Sequence, residues 1–211
     1  MDSPDQHHRE KMVLAAFDFD GTLTTADTMM AFIRFTHGRR RLATGILRHA
    51  HRLAMMKLGL YSNGKVKEMI FSHFYQGTSY EQFLRWGCEF AKEAETLFND
   101  RTVEILQQHL SEGHTVCVVT ASIDEWVRPI CKMLGVGSVL ATLIEVAPNG
   151  TLTGRFRSPN CYGKQKVARL LEAYPQRQNY LLYAYGDSRG DRELLALADK
   201  GYMLSSYRRI R

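Results

Sequence analysis

No stretch of the sequence approaches the ~18 consecutive apolar residues of a membrane-spanning helix, so none is expected. The first residues, MDSPDQHHREKM, are polar and lack the apolar stretch of a secretory signal. The cysteines, Cys88, Cys117, Cys131 and Cys161, lie far apart with no CxxC spacing. That argues against a zinc cluster or a disulfide framework and for reduced thiols in a cytoplasmic protein. His7 and His8 are adjacent and His49 and His51 are two apart. Neither pair has the spacing of ligands on one helix face, and both read as solvated surface. Acidic residues are missing altogether from Thr28 to Val66, a span that carries Arg34, Arg39, Arg40, Arg41, Arg48, Arg52, Lys57 and Lys65. A block of one sign suits an anionic partner (phosphate groups, an acidic membrane surface or nucleic acid) or else a solvated helix face.

The 211 residues, 45% of them apolar, are enough for one packed domain with a smaller insertion. Val13–Phe19, Thr115–Thr120 and Tyr180–Tyr185 are short apolar runs typical of strands buried on both faces. Val139–Val146 and Thr151–Phe156 flank the turn dipeptide Asn149-Gly150 and predict a hairpin. Tyr202–Leu204 predicts a last short strand. Helical periodicity covers Thr102–Leu110, Asp124–Leu134, the stretch around Val167–Tyr174 and Leu194–Ala198. The expected fold is α/β, a three-layer Rossmann-like parallel sheet. Between about Met29 and Ala94 the pattern is helical throughout. The division expected is a core of residues 1–28 and 97–211 with an all-helical cap, 29–96, inserted after the first strand.

In such a sheet, ligands sit beyond the carboxyl ends of the strands. The first strand ends in Asp18 and Asp20, the second in Thr120 and Ala121, and the run Tyr180–Tyr185 leads to Asp187 and Asp191. Neighbouring strands would gather these carboxylates, which cannot all ionise without a counter-charge. A hard cation with oxygen ligands, Mg²⁺, resolves the conflict. Hydroxyl and amide donors at Thr120 and Ala121, with a lysine from Lys164 or Lys166, would complete a site for phosphoryl transfer.

The motifs DFDGTLT, VVTAS, GKQK and GDSRGD, in that order, resemble the four motifs of the haloacid dehalogenase-like hydrolase superfamily, in the branch of phosphoserine phosphatase and phosphatidylglycerophosphatase C. The resemblance implies Asp18 as nucleophile forming an aspartyl-phosphate and Asp20 as general acid, then base. It implies Mg²⁺ held by Asp18, Asp20 (through its carbonyl) and Asp187, with Asp191 in support. Thr120 would bind the phosphoryl group. Lys164 would neutralise it, the pattern fitting the first lysine of GKQK best, with Lys166 as the close alternative. An acid at Asp20 can protonate an alkoxide, which favours a phosphomonoester phosphatase.

The cap must decide the substrate. Asp27 occupies the place at which phosphoserine phosphatases carry a substrate-binding Glu, and the stretch SNGKVKEMIF offers Lys65 and Lys67 where those enzymes use an Arg. Both departures speak against phosphoserine. Leu42, Ile46, Ala50, Leu53 and Ala54 would line one face of a basic helix able to lie on an anionic bilayer, or to pack inside the cap. The expected partner is a phosphorylated small molecule or a lipid head group such as that of phosphatidylglycerophosphate. Contact with the inner membrane surface would be peripheral, and no nucleic acid is expected. The alternatives are a phosphoserine phosphatase and a non-catalytic module that binds anionic surfaces.

Overall fold

The computed structural model describes residues 12–204, with Lys57 described by its backbone alone. The polar start of the chain with His7 and His8, and the basic tail after Leu204, lie outside the described residues. Five strands form a wholly parallel sheet: β1 (Met12–Phe17), β2 (Thr115–Ile123), β3 (Ser138–Thr142), β6 (Tyr180–Gly186) and β7 (Lys200–Met203), in the order β3-β2-β1-β6-β7. β1 is central and pairs with β2 from Leu14↔Thr115 to Phe17↔Val118, and with β6 from Met12↔Tyr180 to Phe17↔Tyr185.

Successive side chains on a strand alternate between faces, and the core divides accordingly. Leu14, Ala16, Cys117, Val119, Leu182 and Ala184 pack with Leu170 of α7 (Lys164–Ala173) and Leu194 of α8 (Arg192–Leu197). Ala15, Phe17, Val116 and Val118 face the other way, toward Leu106 of α5 (Asp100–Ser111) and the apolar side of α6 (Asp124–Met133). These are the three layers expected from the alternating strands and helices.

Four helices lie between β1 and α5: α1 (Thr28–Arg48), α2 (Ala50–Lys57), α3 (Asn63–Tyr75) and α4 (Tyr80–Ala94). Their shared core is aromatic. Phe32 meets Phe83, Phe90 and Tyr75 at ring-centroid distances of 5.4, 5.2 and 5.7 Å, and stacks on Trp126 of α6 at 4.7 Å. Phe71 and Tyr75 belong to the same buried cluster.

Two expectations change. The run Val139–Val146 is not one hairpin strand: β3 ends at Thr142 inside the main sheet, and β4 (Ile144–Val146) pairs antiparallel with β5 (Leu152–Phe156). This ribbon attaches to the helical segment. Gly77 N and Tyr80 N donate to Leu152 O and Gly150 O, and Phe156 N donates to the Glu68 carboxylate at 2.9 Å. The basic helix is also interrupted. α1 kinks at Gly38, whose φ of 80° belongs to the left-handed region, and ends at His49. Leu42, Ile46 and Leu53 then pack against the core, while Ala50 and Ala54 are exposed. Of the two uses open to this face, packing inside the cap takes up most of it.

Candidate active site

β1 delivers its carboxylates by ending where the pairing with β6 ends. Asp18 N donates to Tyr185 O at 2.8 Å, fixing the backbone at the first residue past the strand. Gly21 makes the turn that follows, at φ 81°. A Cβ there would collide with the Asp187 carboxylate, so conformation and space both demand glycine.

Asp18 is 5% exposed. Its Oδ1 accepts from Lys166 Nζ at 2.5 Å, and the same ammonium donates to Asp191 Oδ1 at 2.6 Å. Burial pushes the Asp18 carboxyl up to about 7; Lys166 pulls it down, and the charges of Asp191 and Asp20 push it up again. Lys166 is itself fully buried. Burial favours its neutral form, but Asp18 and Asp191 overcome that and hold it as a firm cation.

The Asp20 carboxylate is held by different partners. Its Oδ1 accepts from Thr28 N at 2.9 Å and Thr28 Oγ1 at 2.6 Å, and its Oδ2 accepts from Ser122 Oγ. Trp126 Nε1 donates to Thr28 Oγ1 at 3.2 Å. The start of α1 and the end of β2 together aim this acid.

Asp187 follows β6, is half-buried and receives Thr22 Oγ1 at 3.5 Å. Burial raises its carboxyl, Asp191 adds to the rise and Lys166 opposes it. Asp191 is fully buried; its Oδ2 accepts from the amides of Asp187 and Ser188 and from Ser188 Oγ. Oxygens of Asp18, Asp187 and Asp191 lie within 4.8 Å of one another. All-oxygen donors, two of them with carboxyls raised by burial first and by neighbouring acids second, suit a hard divalent cation.

Thr120 is buried at the end of β2, where its Oγ1 accepts from Ser122 N at 3.0 Å. Ala121 follows it, with its carbonyl accepting from Thr142 Oγ1. Asp27 caps α1, its Oδ1 accepting from Met30 N at 3.1 Å. The residue is exposed at this cap; its carboxyl is raised, with neighbouring protein atoms and the charge of Asp20 pushing it up and Lys67 opposing.

The structure separates the two lysines. Lys164 opens α7 and is exposed, whereas Lys166 reaches Asp18. Two positions apart on a helix means about 200° of rotation, so only one of them can face the carboxylates. The expectation favouring Lys164 is corrected to Lys166 as the lysine at Asp18. Thr28 and Trp126 were not anticipated: Thr28 reaches Asp20 from the start of α1, and Trp126 reaches that threonine hydroxyl from α6, contacts that only the fold brings about.

Residues 15–196 match the model of the haloacid dehalogenase-like hydrolase family. The chain belongs to that family and is an enzyme of its hydrolase kind. It is 34% identical to Protein CicA of Caulobacter vibrioides, over 91% of this chain and 86% of that protein. Over 89% of this chain and 87% of the relative, it is 24% identical to a histidinol-phosphatase of Neisseria meningitidis. Its fold matches a crystal structure of phosphoserine phosphatase in apo form with a TM-score of 0.61 at 18% identity, over 89% of this chain and 84% of that one. The family and the Rossmann-like fold read from the sequence are thereby borne out.

Proposed function

We propose that the chain is a Mg²⁺-dependent phosphomonoester phosphatase working through an aspartyl-phosphate on Asp18. The observation that carries this reading is the contrast between two acids two residues apart: Asp18 lies against a buried ammonium, and Asp20 is aimed by Thr28 and Ser122. The Asp18 carboxylate attacks phosphorus. As that bond forms, the bond to the ester oxygen breaks, and Asp20 protonates the departing alkoxide. Asp20, now a base, takes a proton from water; the water oxygen attacks phosphorus and releases inorganic phosphate and free Asp18. Lys166 balances the charge of Asp18 and of the phosphoryl group, and Thr120 with the Ala121 amide offers donors to its oxygens. Asp18, Asp187 and the Asp20 carbonyl would hold Mg²⁺, which supplies positive charge at the phosphoryl oxygens when bound. Asp191, saturated by internal bonds, keeps Lys166 and the Asp187 backbone in place. Residues 1–28 and 97–211 act as the catalytic core, and 29–96 act as the cap.

For substrate, the phosphate ester of a small amino alcohol is favoured. Asp27, close enough to Asp20 for their charges to interact, suits an ammonium near the ester, and Lys67 suits a second polar group. Histidinol phosphate belongs to this chemical class. A second reading, a phospholipid head group met at the inner membrane surface, is favoured by one observation: Leu47, Leu58 and Leu60 are 76%, 74% and 69% exposed beside the arginines of α1 and α2. Among the described residues no helix is long and apolar enough to cross a membrane.

One screen separates these readings. Purified protein with Mg²⁺ is assayed against amino-alcohol phosphates, other phosphometabolites and phosphatidylglycerophosphate vesicles, with Asp18→Asn as blank. Phosphate release from the first group, lost in Asp18→Asn by about 10³-fold or more, is expected. Release from vesicles alone would establish the second reading. No release from any ester, or activity that survives Asp18→Asn, would sink the phosphatase reading.

A further inference from the structure

A second group of metal-binding side chains lies away from the strand-end carboxylates, where α5 ends and the chain turns into β2. His109 Nδ1 stands 2.8 Å from His114 Nδ1, and His114 Nδ1 stands 3.4 Å from Glu112 Oε2. One ligand atom from each of the three side chains falls within 4.8 Å of the others. His109 is buried at 6% exposure, with its ring edge against Phe17 and Tyr183; His114 is partly buried and Glu112 exposed.

Neutral imidazole carries one N–H and one lone pair, and an ionised carboxylate only accepts. One proton on His114 Nδ1, donated to His109 Nδ1, satisfies the two rings and leaves the Glu112 oxygen, 3.4 Å from His114 Nδ1, with no second ring proton to accept. A cation in place of that proton would accept a lone pair from each of the three side chains.

The remaining groups suit that arrangement. His109 Nε2 and Tyr185 Oη are 2.9 Å apart. With Nε2–H donating to the hydroxyl, His109 presents its lone pair at Nδ1, the kind of outer partner that orients metal-ligating histidines. Burial first, then His114, lowers the His109 pKa and favours the neutral form that ligates. Zn–N bonds of about 2.0–2.1 Å at tetrahedral angles put ligand atoms about 3.3 Å apart. The His114–Glu112 separation already matches, and the two Nδ1 atoms need to part by only about half an ångström.

We propose that His109 Nδ1, His114 Nδ1 and the Glu112 carboxylate form a site for a divalent transition-metal ion of the Zn²⁺ class, with water completing the coordination. The ion would tie the end of α5 and the entry to β2, through Tyr185, to the strand that leads into Asp187. The chemistry differs from that of the strand-end cluster: two imidazoles select a borderline ion, whereas carboxylates alone suit Mg²⁺.

The test titrates Zn²⁺ into the full chain in excess Mg²⁺ by calorimetry, and Co²⁺ in parallel by visible absorption. Expected are stoichiometric Zn²⁺ binding and a tetrahedral Co²⁺ band. Both should disappear in His114→Ala and weaken about tenfold or more in Glu112→Gln, and Tyr185→Phe should weaken binding about 10–100-fold. Unchanged hydrolysis of p-nitrophenyl phosphate by His114→Ala verifies its fold. Should that variant not fold, Glu112→Gln at its exposed position carries the test. Zn²⁺ binding that is identical in wild type, His114→Ala and Glu112→Gln, or the absence of Zn²⁺ binding by the wild type, overturns the proposal.

Discussion

The loops at the strand ends and the helical segment above them are held by opposite means. Around Asp18 and Asp20 the restraints are hydrogen bonds and ion pairs, several of them between side chains far apart in sequence: Lys166 with Asp18, Ser122 with Asp20, Thr22 with Asp187. In the segment Thr28–Ala94, aromatic rings do the same work, and Trp126 of α6 anchors them to the core. Hydrogen bonds fix direction to within a few tenths of an ångström; apolar packing fixes volume and tolerates substitution if volume is kept. The first suits a reaction shared by a family, the second a surface that differs between substrates. Thr28 belongs to both regions, as the start of α1 and as the donor that holds Asp20.

That contrast can be broken in order of expected effect. Asp20→Asn keeps the bonds' positions but removes the acid, and should lower kcat about 10²–10⁴-fold. Steady-state assays on an activated ester with a good leaving group should recover part of the loss in the first half-reaction. Phe32→Ala should lower stability by about 3–5 kcal/mol, as read by urea unfolding. Lys166→Met strands two buried carboxylates and should lose about 3–5 kcal/mol with its activity, whereas Lys164→Met should stay within about 0.5 kcal/mol. A similar loss for both lysines would refute the assignment of Lys166.

A smaller effect concerns Glu125, at the start of α6. Burial first, with Asp124 adding, pushes its carboxyl up to about 7, while its own backbone amide and Tyr80 hold it down; its Oε2 is buried without a partner. A carboxyl raised on folding binds more protons folded than unfolded between about 4.5 and 7, so stability falls as pH rises through that window. The loss is complete above about 7. Glu125→Gln should remove a component of order 2 kcal/mol from that decline, measured as Tm from pH 4 to 8. Wild type and variant running parallel across the window would rule it out. The smallest effect is for Asp27→Ala: about 1 kcal/mol of stability from the lost cap, and a raised KM at nearly unchanged kcat for an ammonium-bearing ester. A neutral ester should show no rise in KM.

Much of this was legible in the sequence because the signals are local. A strand that ends in two carboxylates and a glycine, β-branched runs alternating with helical ones, and a long helical interval follow from periodicity and backbone preference alone. The lysine was not, because GKQK offers two candidates and only the rotation of α7 relative to the sheet selects one. The basic helix left two readings open for a related reason: its apolar positions were legible, but Gly38 and His49 break it, and what covers an apolar face is decided by neighbours. The hairpin at Asn149-Gly150 is present, yet β3 belongs to another sheet, because pairing partners are nonlocal.

By itself, then, the sequence determined the order of strands and helices, the family, and which carboxylates follow which strands, since these depend on contacts within a few residues. Only the tertiary structure decided that Lys166 meets Asp18, that Thr28 and Ser122 hold Asp20, and that His109, Glu112 and His114 converge. Each of those depends on a direction in space that side-chain spacing along the chain leaves free.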